Sequence, residues 1–244
     1  MMVEVTGSPR AGKSTILKEC CRQLGPEVIL FSDDVVLEHY GLNFSSNPFF
    51  RRFLKDVLLL SISLSRLNKY KSFIVYVAST LRRTREPRFI KINQFRNVLL
   101  KIARFEFISK HLNHRTVIID EGLSHIPFNL IDYADDGYPL RARDSLHCTL
   151  KMIEVPLKSI HVIVIVCDRS DILFLLVKSG HKRINAHTPY TINQFCRFNH
   201  ILSEQYADIN GIYFYSKNVF QVGHDERSQM SERFTCLLKK VAGI

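Results

Sequence analysis

The sequence predicts an α/β fold built on a central parallel sheet, and three observations carry that expectation. Residues 116–119 and 160–167 are nearly continuous runs of β-branched and apolar side chains, the pattern of strands covered on both faces, and they lead into Asp120 and Asp168. Segments of helical spacing lie between the candidate strands. A glycine-rich turn joins the first candidate strand directly to the first candidate helix.

The elements follow in order. Residues 3–6 form a short β-type run. After the glycine turn, residues 14–24 place Ile16, Leu17 and Cys20 on one helical face and stop at Gly25-Pro26. A second strand over 27–31 ends at Ser32-Asp33-Asp34. An insertion of about 43–114 reads as mainly helical, with two basic amphipathic segments, 49–71 and 92–112, joined by an arginine-rich stretch over 81–88. Beyond the strand at 160–167, residues 170–178 read as a helix, 179–189 as a polar basic loop, and 191–206 as a further helix. A last strand at 211–215 and a helix over 228–241 close the pattern. With no internal repeat and no linker, residues 1–244 are expected to form one domain, carrying the insertion and a lid at about 178–190.

Composition narrows the function classes. The chain has 244 residues, 46% of them apolar, enough for one sizeable core. The N-terminal residues enter a strand at once and lack the basic and apolar regions of a signal peptide. The longest apolar stretches, 57–64 and 160–167, are far shorter than the roughly 20 residues of a spanning helix. Cys20, Cys21, Cys148, Cys167, Cys196 and Cys236 show neither C-x-x-C pairs nor zinc-type spacing, so reduced thiols in a cytoplasmic protein are expected. A net charge of +11 suits an anionic ligand without saying which.

The strongest chemical signal is Gly7-Ser8-Pro9-Arg10-Ala11-Gly12-Lys13-Ser14, which satisfies G-x-x-x-x-G-K-[ST] between a strand and a helix. Glycines let the backbone wrap phosphate oxygens, and the helix start adds its positive dipole. Residues Gly7 to Thr15 are therefore the expected ATP site, with Lys13 on the β and γ phosphates and the Ser14 hydroxyl on Mg²⁺. Asp120, at the end of an apolar strand, is the expected second Mg²⁺ ligand, the Walker B acid. Glu121 beside it would orient metal or substrate in a kinase, or activate water in a hydrolytic ATPase.

Phosphoryl transfer also needs an acceptor side. Asp33 and Asp34, just after the second strand, are candidates for general base or substrate binder, the alternative being an Asp pair at the start of the next helix. Arg82, Arg83, Arg85 and Arg88, with Arg96 and Arg104, are candidate partners for an acceptor phosphate or else solvated surface. In the basic lid, Arg183 is the candidate for stabilising transition-state charge, ahead of Lys182, with His181 read as surface.

This order of motifs resembles the nucleoside and nucleotide kinase branch of P-loop proteins, in particular thymidylate-kinase-like chains, and bacterial P-loop kinase-like proteins with a D-E-G strand end after a long basic insertion. The matching residues are Gly7 to Ser14, Asp33, Asp120-Glu121-Gly122 and the basic lid over 178–183. The resemblance implies a five-stranded parallel sheet in order 2-3-1-4-5 with helices on both faces, a mobile lid, and adenine contacts around 216–219. Thymidylate kinases usually follow the Walker B acid with Arg, where this chain has Glu121.

The expected function is therefore Mg²⁺- and ATP-dependent transfer of the γ-phosphate to a small acceptor, a nucleoside or nucleotide first and a sugar-like hydroxyl compound second. The rival is a non-kinase ATPase or nucleotide switch that uses Asp120-Glu121 and holds nucleic acid through the basic charge. Residues 49–71 also have the composition of an interfacial membrane helix, yet the expectation is that their apolar face packs on the core. A homodimer is compatible with the sequence.

Overall fold

A computed structural model describes residues 1–7, 13–25, 27–42, 47–130, 160–167, 196–197, 212–217 and 224–243. Its centre is a five-stranded parallel sheet of β1 (Met2–Gly7), β2 (Val28–Leu30), β3 (Thr116–Asp120), β4 (Ile160–Cys167) and β5 (Ile212–Lys217), in the order β2-β3-β1-β4-β5. The order is the one the resemblance implies. Register is continuous across the middle: Val3 pairs with Ile118 on one side and His161 on the other. Val3, Val5, Val117, Ile118, Ile163, Val164 and Ile165 are essentially sealed from water, as parallel strands covered on both faces require.

Helix α1 (Lys13–Leu24) follows β1 and packs through Ile16, Leu17 and Cys20 against the sheet and against α6 (His224–Ala242). Gly25, at a φ of 76°, ends α1 in the left-handed conformation common just beyond a helix. Helix α2 (Asp33–His39) starts immediately beyond β2.

The insertion is three helices rather than two long segments. α3 (Pro48–Ser65) is started by Asn47, whose side chain accepts from the Phe49 and Phe50 amides at 3.0 and 3.3 Å, with Pro48 in the first turn. The chain breaks at Arg66, so the expected helix over 49–71 is divided. α4 (Leu67–Arg83) then turns through residues 84–87 into α5 (Arg88–His111). Glu106 ties this hairpin to the α3–α4 corner, held by Arg66, Lys69 and Tyr70. Lys69, Tyr70 and Arg66 together hold its carboxyl below the usual range against the upward push of burial.

The second half of α5 is buried on every side, with Val98, Leu99, Leu100, Ile102, Ala103, Phe105, Phe107 and Ile108 among its covered residues. It is the central rod of the helical layer. It also delivers two basic side chains, Lys101 and Arg104, to the carboxyl end of the sheet. By contrast α3 buries only Leu59 and Ser63, and leaves Phe49, Phe50, Phe53, Val57 and Leu64 exposed. The expectation that the apolar face of 49–71 packs on the core therefore holds in part: Leu59 and Tyr70 join the core and Leu58, Leu60 and Ile62 pack against it, while these five side chains stay exposed.

Candidate active site

The site lies where parallel strands place ligands, beyond the carboxyl ends of β1, β2 and β3. Gly7 closes β1 at a φ of 128°, and a Cβ there would stand 2.2 Å from the Ile165 carbonyl oxygen. Only glycine lets β1 run this close to β4 and then turn into the loop. Residues 8–12, the middle of the expected phosphate loop, lie outside the described residues, as do Arg183, Lys182 and His181 of the expected lid. Of the expected adenine segment, Ser216 and Lys217 end β5, and 218–219 fall outside.

Lys13 and Ser14 begin α1. The buried Lys13 ammonium donates to the Gly7 carbonyl at 3.2 Å and pairs with Glu121 Oε1 at 3.1 Å. The Ser14 hydroxyl donates to Asp120 Oδ2 at 2.6 Å. Asp120 Oδ1 is buried and has no hydrogen-bond partner. Burial raises the Asp120 carboxyl above its usual value, opposed by Ser14. A hydroxyl and a carboxylate with a buried oxygen to spare are hard donors of the type Mg²⁺ takes, so Ser14 and Asp120 fit that ion. Among the described residues there is no cluster of three His, Cys, Asp or Glu that could hold a metal by itself.

Glu121 stands at a φ of 61°, an uncommon left-handed position for a non-glycine residue. Its neighbours hold it there. Lys101 donates to its carbonyl oxygen, Lys13 pairs with one carboxylate oxygen, and His125 Nε2 lies 3.5 Å from the other. Burial pushes this carboxyl up, but His125, Lys13 and Lys101 together outweigh it and hold the group well below the usual carboxylate range. His125 is itself fixed, with Nδ1 2.9 Å from the Thr6 hydroxyl and its ring stacked on Phe128 at 4.7 Å.

The turn after Glu121 rests on Glu4, a fully buried acid in the middle of β1. Its carboxylate accepts from the Leu123 and Ser124 amides at 2.8 and 2.7 Å. Burial nonetheless raises its pKa. Gly122 is required beside it, because a Cβ would come within 2.1 Å of Glu4 Oε1. Lys101 completes the cluster; burial lowers its pKa to about 8, partly offset by Glu121, Glu4 and Asp120.

On the other side of Asp120 is a pocket of about 160 Å³ lined by Phe31, Ser32, Asp33, Arg104, Ile119 and Asp120. Arg104 grips Asp33 with two parallel bonds, at 2.7 and 2.8 Å. Asp33 and Arg104, both expected on the acceptor side, thus share one pocket with Asp120, the expected Walker B acid. Asp34 does not join them; it turns to Arg51 at 2.9 Å and Lys55 at 3.3 Å on α3. Successive residues in the first helical turn point about 100° apart, so both aspartates cannot face one pocket. Arg82, Arg83 and Arg85 are also elsewhere, exposed at the α4–α5 turn. From Lys101 back to Arg88 the helix rises about 20 Å, out of reach of the pocket. Arg96 pairs with Asp56 on α3.

Glu4, Lys101 and His125 were not among the sequence candidates. An acid inside an otherwise apolar buried strand was a usable signal for Glu4. Nothing in the local pattern marks Lys101 or His125, since both depend on what α5 and the turn after β3 meet in space.

The sheet order, with lysine and serine at the start of α1 and an acid at the end of β3, is that of the expected P-loop α/β fold. No family model matches the chain, and no curated protein does. Among solved structures, one described as deoxyadenosine kinase from M.mycoides with bound dATP is similar at 15% identity, covering 98% of this chain and 100% of that one, with a TM-score of 0.45. No described helix is long and apolar enough to cross a membrane.

Proposed function

We propose that the chain is an ATP-dependent phosphotransferase that moves the γ-phosphate to the hydroxyl of a small acceptor, a nucleoside or nucleotide in the first instance. The observation that carries this reading is the shared position of Asp120. One of its oxygens is bonded to Ser14 beside Lys13, while the residue also lines the pocket that holds Asp33 and Arg104. A phosphate-binding corner and an acid-bearing acceptor pocket therefore meet at one residue. Mg²⁺ held between Ser14, Asp120 and the phosphates would neutralise the charge that develops on the transferring group.

In this reading Lys13 leaves Glu121 for the β and γ phosphates, and Glu121 remains held by His125 and Lys101. Asp33 takes the acceptor proton, with Arg104 fixing its orientation. Its bidentate grip leaves the carboxylate at the pocket wall. The rival, a hydrolytic ATPase or nucleotide switch, would use Glu121 to activate water.

The deciding experiment is ATP turnover with Mg²⁺ across a panel of nucleosides, nucleoside monophosphates and sugars, with Lys13→Ala as control. Turnover that requires one acceptor and vanishes in the variant is the expected result. Acceptor-independent hydrolysis, stimulated by nucleic acid, would establish the rival instead.

A further inference from the structure

The helical insertion ends in a surface that the site does not use. α3 and α5 run side by side in the same direction, because Asp56 meets Arg96 and Arg66 meets Glu106, both pairs forty residues apart in sequence. The same offset sets Phe49 and Phe53 of α3 at the height of Phe89 and the turn around Ile92 on α5. All are exposed: Phe49 by 80%, Phe53 by 58%, Phe89 by 67% and Ile92 by 70%. Phe89 lies twelve residues before Lys101 on α5, about 18 Å beyond the carboxyl edge of the sheet.

The charge around these side chains is predominantly positive. Residues 81–92 carry Arg82, Arg83, Arg85, Arg88 and Lys91 against a single acid, Glu86, which accepts from Gln94. Arg52, also exposed, adds a cation on α3. Solvated loops ordinarily keep large apolar groups covered, and a basic tip that exposes several of them calls for a partner that is both anionic and apolar.

We propose that this tip docks the protein on an anionic lipid surface, with Phe49, Phe53, Phe89 and Ile92 entering the headgroup boundary and the arginines meeting lipid phosphates. The chemistry favours lipid over the other polyanions and over a second copy. Ile92 offers no face for base stacking, and phenylalanine has no polar handle for base edges. Two copies meeting at this tip would set like charges against each other. The inference is independent of the proposed reaction and stands or falls without it.

The chain contains no tryptophan, so Phe89→Trp supplies a single fluorescent reporter without background. With the full chain, we expect its emission to shift to the blue on vesicles containing about 30% phosphatidylserine, and not on pure phosphatidylcholine. Co-sedimentation with the anionic vesicles should weaken at least tenfold in Phe49→Ser/Phe53→Ser and in Arg82→Glu/Arg83→Glu, and fall steeply with salt. Each variant is checked for an unchanged thermal midpoint, so lost binding is not lost fold. No shift on either vesicle overturns the proposal. So does a response to single-stranded nucleic acid in place of vesicles, which assigns the tip to that polymer, or a shift that depends on protein concentration alone, which assigns it to a second copy.

Discussion

Asp33 and Asp34 are adjacent in sequence and opposite in circumstance. Asp33 lies in the pocket beside Asp120 under a two-bond grip from Arg104, whereas Asp34 forms a half-exposed pair with α3. Under the proposed reaction Asp33→Asn should lower kcat by at least about 10²-fold, the usual worth of a positioned base. Asp34→Asn should change it by no more than a few-fold, since a half-exposed pair contributes about 1 kcal/mol or less. Steady-state kinetics on both variants checks the contrast, and equal losses would remove Asp33 from the role. Lys101 makes a second prediction at this scale. Its folded pKa, about 8, lies below the usual lysine value of 10.5, so between those values the unfolded chain binds more protons and stability rises with pH. Denaturant titrations should therefore show wild type gaining stability from pH 8 to 10 relative to Lys101→Met. Turnover should show an alkaline limb near pH 8, as the ammonium that anchors the Glu121 carbonyl is lost, and that limb should be absent from the variant.

The turn after β3 is where one element depends on another. The D-E-G sequence needs a left-handed Glu121, a glycine that admits the Glu4 carboxylate, and two amides that satisfy that carboxylate. Gly122→Ala should destabilise the protein by about 1–3 kcal/mol, because a methyl group would be forced into a buried, fully engaged acid. For a chain of this length that is a fall of roughly 2–4 °C in thermal midpoint for each kcal/mol. A midpoint unchanged by the substitution would mean that Glu4 can turn aside freely and that the turn is not held as described. α5 shows the same dependence on a longer scale. Its buried second half places Lys101 and Arg104 on two sides of Asp120, and its exposed first half carries the arginine-rich hairpin away from them.

For the molecule as a whole, the proposed function requires Lys13 to exchange its pair with Glu121 for phosphate oxygens when Mg²⁺-ATP binds. Binding that exchanges Glu121 for phosphate oxygens stabilises only the folded chain. At a Mg²⁺-ATP concentration of about a hundred times Kd the gain is about 2.7 kcal/mol, a rise of roughly 5–10 °C in thermal midpoint. Differential scanning fluorimetry should show that rise in wild type and lose it in Lys13→Ala. A rise that survives in the variant would mean that ATP binds somewhere other than the α1 start. The lipid-facing tip acts at the same scale, since it orients the molecule without touching the site.

Much of this architecture was legible because it rests on local rules. Unbroken apolar runs specify buried parallel strands, and glycine with lysine and serine at a strand–helix junction specifies a phosphate corner; both need only neighbours in sequence. Asp120 and Asp33 were readable for the same reason, as acids at strand ends. Tertiary structure alone decided the rest. Helical phase separated Asp33 from Asp34, and the length of α5 carried Arg82, Arg83 and Arg85 away from the pocket while leaving Arg104 in it. Glu4, Lys101 and His125 converge on Glu121 from β1, α5 and the turn after β3, far apart in sequence. Burial makes their charges count, and burial is a property of how elements pack, which no local pattern contains.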